Sequence, residues 1–139
     1  MHTSLRCASF VLLASALLLG QSQENSNKKS GKMAVMDGGA GPCAIEITVL
    51  GPDAKPIYDA DVKVHIAYGF GGFHRLDLEA GTNSDGKVKF TGLPTRVHRP
   101  PLQFIASKGD LTGTITYDPE TQCQASQEVT LQKAAPAAQ

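Results

Sequence analysis

The sequence has no tryptophan and few rings of any kind, with 3 Tyr and 5 Phe in 139 residues. A broad sugar-stacking platform needs exposed aromatic faces, so none is expected. Neither charge is in excess, since 13 Lys and Arg balance 13 Asp and Glu. Nucleic acids and anionic membrane surfaces recruit basic proteins, and net neutrality argues against both as partners. Cysteine is scarce, with 3 in the chain. The Phe10 to Leu19 apolar run falls well short of the ~20 residues that span a bilayer. No Ser/His/Asp set, phosphate-cradling loop or nucleotide fingerprint is visible.

What is present is period-two alternation. Val62, Val64 and Ile66 fall on one parity, and Lys63 and His65 on the other. Leu76, Leu78 and Ala80 repeat the pattern with Arg75, Asp77 and Glu79 outside, and Val88 and Phe90 repeat it between lysines. Alternating side chains point to opposite faces of a strand, so these three runs form an antiparallel unit. A loop over Gly69 to Phe73 sets Tyr68 opposite His74. His65 then faces Asp77, and Lys63 faces Glu79. A slip of one residue would set apolar against polar faces, which burial forbids.

The chain opens like an export signal. Arg6 precedes the apolar run, and Gly20-Gln21-Ser22 offers small residues for cleavage after Ser22. Residues 1–22 are therefore expected to be removed, taking Cys7 with them, and the product to be secreted or periplasmic with no membrane span. Cys43 and Cys123 remain. An even count in an exported chain favours a disulfide, against two unpaired thiols. Residues 23–42 are rich in Ser, Asn, Lys and Gly and are expected to be a disordered linker, with Lys28, Lys29 and Lys32 a solvated cluster. The domain is expected over 43–132, with a frayed tail over 133–139. Seven short strands with turn signals about every 8–12 residues and no helical period predict an all-β, Ig-like sandwich.

Two stretches carry a resemblance. Gly51-Pro52-Asp53-Ala54-Lys55-Pro56-Ile57 leads through Ala60 into Val62. Gly81-Thr82-Asn83-Ser84-Asp85-Gly86 leads into Lys87-Val88-Lys89-Phe90 and ends at Gly92-Leu93-Pro94. Together they resemble the carboxypeptidase regulatory-like, transthyretin-like sandwich from about Ile45 to Leu131. Here Ala54, before the polar Lys55, stands where that family carries a glycine. The resemblance implies an exported, non-catalytic module, not an enzyme and without a cofactor. It would bind an envelope or extracellular protein or a glycan. Two enzymatic relatives are the alternatives. The transthyretin-like 5-hydroxyisourate hydrolases use His and Arg residues plus a C-terminal Tyr-Arg-Gly-Ser, whereas this chain ends Ala134-Ala135-Pro136-Ala137-Ala138-Gln139. That alternative needs His65, His98 and an Arg around one pocket. Intradiol dioxygenases share a related sandwich and hold iron with two Tyr and two His. The spacing of Tyr58, Tyr68, Tyr117, His65, His74 and His98 does not match that set.

The binding candidates lie on two loops. Tyr68, Phe70, Phe73 and His74 flank a glycine-rich hairpin tip, whose aromatics either cap the core or contact a partner. Arg96, His98 and Arg99 sit on a basic, proline-stiffened loop. His65 and His74 lack the third and fourth ligands that a metal wants. Asp59, Asp61 and Asp118 lack a calcium-loop pattern. No metal is expected, and the His65–Asp77 pair reads as a solvated surface pair.

Overall fold

The computed structural model describes residues 31–134, so the expected signal segment lies outside the described residues. Nine strands follow one another: β1 Ala34–Asp37, β2 Cys43–Leu50, β3 Asp61–Tyr68, β4 His74–Gly81, β5 Lys87–Leu93, β6 Leu102–Lys108, β7 Leu111–Tyr117, β8 Gln124–Thr130 and β9 Gln132–Lys133. The only helix among the described residues is one 3-10 turn, Phe70–Gly72. The strands form two sheets, in the orders β1-β5-β2-β8 and β4-β3-β6-β7-β9. The sandwich expected from the sequence is therefore present.

Alternation builds the core. Ile45, Ile47 and Val49 of β2 and Val62, Val64 and Ile66 of β3 are all buried in one core cluster. Phe90 of the first sheet reaches Phe104 of the second with ring centroids 5.2 Å apart, and Phe104 meets Tyr117 edge-on at 6.2 Å. These tilted contacts suit the ring quadrupoles. The β3–β4 register is the expected one, with Tyr68 opposite His74, His65 opposite Asp77 and Lys63 opposite Glu79. Cys43 and Cys123 form the expected disulfide.

Three expectations need correction. Among the described residues the strands number nine rather than seven. The linker reading fails over its second half, because β1 runs parallel to β5 with Ala34 opposite Val88 and Asp37 opposite Thr91. The reason lies in distant partners. The Asn83 side chain donates to the Gly31 carbonyl at 2.7 Å, and the Gly31 N–H donates to Ser84 Oγ at 3.0 Å. Farther along, the Gly38 N–H donates to the Thr91 carbonyl at 2.8 Å. Residues 23–30 lie outside the described residues. The start of the expected tail is also a strand, since β9 pairs Gln132 with Thr112 and Lys133 with Leu111.

The two resembling motifs interlock. The Thr82 hydroxyl donates to the Ile57 carbonyl at 2.6 Å and accepts from the Ala60 N–H at 2.9 Å. Asn83 Oδ1 accepts from the N–H groups of Asp85 and Lys87. Gly86 closes that turn at φ 71°, where a Cβ would lie 2.5 Å from the Val49 carbonyl oxygen, so glycine is required.

Candidate functional site

The outward face of β3, β4 and β6 carries the site. Lys63 and His65 point out from β3, and Arg75, Asp77 and Glu79 from β4, by the same alternation that buries their neighbours. Gln103 and Ile105 do so from β6, where Ile105 is half-exposed. Before β6 the chain makes a detour. Val97 bridges to Tyr68, and the His98 N–H donates to the Ala67 carbonyl at 2.7 Å. Residues 98–101 then loop out before Leu102 rejoins the sheet. Their detour, with Gly71 and Gly72 of the hairpin tip, walls off an open groove of about 880 Å³ on this face.

Charge in the groove is uneven. Lys63 Nζ lies 3.5 Å from Glu79 Oε1, and His65 Nδ1 lies 2.5 Å from Asp77 Oδ1. An ionised carboxylate only accepts, so Nδ1 carries the hydrogen and a neutral ring keeps Nε2 as its acceptor. Among the described residues, no ion pair engages Arg75 or Arg99. Both arginines, together with His98, line the groove. Arg99 sits at φ 60°, a left-handed conformation uncommon for non-glycine residues and shared here with Ala54 and Asp59.

The structure gathers the sequence-predicted binding residues at one end of the sandwich. Phe70 and Phe73 are 92% and 82% exposed, so neither ring caps the core. His74 stacks on Tyr68 with ring centroids 5.2 Å apart. Arg96 points away from the groove towards Glu120 Oε1, at 3.7 Å. His98 and Arg99 enter the groove. Sequence reasoning read His65–Asp77 as a solvated pair and placed Arg75 on the same outward parity, while its hydrolase alternative required His65, His98 and an Arg around one pocket. Their outward parity was legible, but the wall that turns the face into a groove was not.

No protein-family model matches the sequence, and a search of curated proteins gave no match. Solved structures do match. Catechol 1,2-dioxygenase from Pseudomonas arvilla C-1 superposes with a TM-score of 0.50 at 14% identity, over 76% of this chain and 59% of that one. 3-Chlorocatechol 1,2-dioxygenase from Rhodococcus opacus 1CP gives 0.49 at 11% identity, over 76% and 67%. Hydroxyquinol 1,2-dioxygenase from Pseudomonas putida DLL-E4 gives 0.44 at 12%, over 73% and 62%. The chain thus spans roughly three-fifths to two-thirds of these proteins. At such identity the likeness is one of fold.

This corrects the functional expectation. The resemblance pointed to a non-catalytic module, whereas the solved protein that superposes at a TM-score of 0.50 is a catechol 1,2-dioxygenase. The fold therefore gives no ground for a non-catalytic reading.

The iron of an intradiol site does not fit these residues. The Tyr117 phenol donates to the Cys123 carbonyl at 2.7 Å and is buried at the core's edge. Tyr58 is exposed in the turn before β3, and Tyr68 stacks on His74. Among the described residues no three of His, Cys, Asp and Glu cluster to hold a metal. The two Tyr and two His that such an iron needs do not converge.

Proposed function

We propose that the chain binds a small anionic substrate in the β3–β4–β6 groove and acts on it by proton transfer. Arg75 and Arg99 hold the anion, and His65, oriented by Asp77, moves the proton. The observation that carries this reading is the 2.5 Å His65–Asp77 contact in a groove that also holds two guanidinium groups without acid partners. A carboxylate on Nδ1 fixes the tautomer and leaves Nε2 as the base, the usual way an imidazole is oriented for acid–base work. Planar guanidinium forks suit carboxylate or phosphate oxygens. The disulfide supports an oxidising compartment, and with it secretion or a periplasm. The interlocked turns support kinship with the carboxypeptidase regulatory-like sandwich.

The test is NMR titration of the His65, His98 and arginine side-chain signals with acetate, benzoate, succinate and inorganic phosphate. Saturable shifts in wild type, weakened about tenfold or more in Arg75→Gln/Arg99→Gln, support the reading. Wild type giving no saturable shift with any of the four anions, or unchanged affinity in the double variant, would sink it.

A further inference from the structure

A separate feature lies on the rim, at the apex of the β3–β4 hairpin. Phe70 and Phe73 project from it almost fully exposed, at 92% and 82%. Large aromatics are rarely left so bare on a lone soluble surface. The apex is also braced. Gly69, Gly71 and Gly72 all hold positive φ. A Cβ on Gly72 would lie 2.9 Å from the His98 ring, and one on Gly69 would lie 2.6 Å from the His74 ring. The backbone therefore sits tightly against two imidazoles, and the two phenyl rings are presented on a fixed support.

Two arginines stand near the apex. His98 and Arg99 pack beside it, and Arg96, 89% exposed at its side chain, stands one turn of loop away. Among the described residues Arg99 has no ion pair, whereas Arg96 shares its charge with an acid at this same end. Glu120 faces Arg96 at 3.7 Å, and Asp118 Oδ1 accepts from the Glu120 N–H at 3.0 Å.

We propose that this end is a membrane-surface contact, with Phe70 and Phe73 entering the interfacial region of an anionic bilayer and Arg96 and Arg99 meeting its phosphates. The shape favours a bilayer over a protein. Two rings on a convex tip need a matching concavity in a protein partner, whereas a lipid interface accepts a wedge without a preformed pocket. The charge favours an anionic surface, which attracts nearby arginines and is screened by salt. The proposal shares Arg99 with the groove reading but rests on the two phenyl rings, which are not part of the groove's acid–base pair.

The absence of tryptophan makes Phe70→Trp the sole indole reporter in the chain. Emission from this variant is expected to shift to the blue on adding vesicles with about 30% anionic lipid, far less with neutral phosphatidylcholine, and to recover in high salt. In sedimentation with the same vesicles, Phe70→Ser/Phe73→Ser is expected to lower the bound fraction of protein about tenfold or more, with circular dichroism unchanged. The proposal is overturned if the indole emission ignores anionic vesicles, or if the double variant sediments like wild type. Self-association on gel filtration that the double variant abolishes also overturns it, because a second copy would then be the occupant.

Discussion

Thr82 and Ala60 hold each other through two bonds: the Thr82 N–H donates to the Ala60 carbonyl at 3.0 Å, and the Ala60 N–H donates to Thr82 Oγ1 at 2.9 Å. The same hydroxyl donates to the Ile57 carbonyl. Thr82 is 3% exposed. Thr82→Val keeps the shape and removes the oxygen, leaving a buried N–H and a carbonyl without their partner. A loss of about 2–4 kcal/mol is expected in urea unfolding, because each orphaned buried group costs about 1–3 kcal/mol. Thr82→Ser should recover most of it. Equal stability of the Val variant and wild type would show that the turn lock is unimportant.

The Cys43–Cys123 bridge closes a loop of 80 residues. In the chain-entropy account, that constraint removes about 4 kcal/mol of freedom from the unfolded state. Cys43→Ala/Cys123→Ala is expected to lose most of this in urea melts compared with wild type under oxidising conditions. Wild type given reductant should fall to the level of the variant. A difference below about 1 kcal/mol would mean that the unfolded chain is already compact there.

How far the fold was legible depends on the kind of contact. The His65–Asp77 and Lys63–Glu79 pairs followed from alternation and loop length, both of them local. β1 was hidden because Ala34 to Asp37 is only four residues long and owes its place to Asn83, Ser84 and β5, far along the chain. The groove was hidden for a related reason. Its wall depends on Val97 bridging back to Tyr68, and no spacing in Thr95 to Pro101 announces that return. The exposure of Phe70 and Phe73 was also undecided in sequence, since a glycine-rich tip allows rings to turn inward or outward.

Tyr117 ties pH to stability. Burial, and then the negative charge of Asp118, push its phenol up from the ordinary 10.0. The folded protein thus holds the phenolic proton more tightly than the unfolded chain. The resulting stabilisation is complete below the unfolded value and is lost as pH rises through the higher folded one. Urea melts from neutral to strongly alkaline pH should show this loss in wild type and a shallower alkaline limb in Tyr117→Phe. At neutral pH that variant should also lose about 1 kcal/mol through the missing bond to the Cys123 carbonyl. Parallel alkaline limbs in the two proteins would show that Tyr117 is not the group responsible.

His65 and Asp77 offer the opposite contrast, a short contact with little bearing on stability. Their side chains are 55% and 79% exposed. Exposed pairs contribute about 0–1 kcal/mol, so Asp77→Ala should leave the urea midpoint nearly unchanged. Its effect should appear on the ring instead. With the carboxylate in place, Nδ1 carries the hydrogen of the neutral imidazole. Without it, the hydrogen is expected to move to Nε2 in much of the population, removing the acceptor that faces a substrate. Nitrogen-15 shifts of the His65 ring read the tautomer directly. If the ring in Asp77→Ala keeps the wild-type tautomer, Asp77 does not orient it, and the acid–base role of the pair fails. If the tautomer changes while the melt does not, the pair is better explained by chemistry at the groove than by holding β3 to β4, whose ladder is already complete from Asp61 to Tyr68 without it.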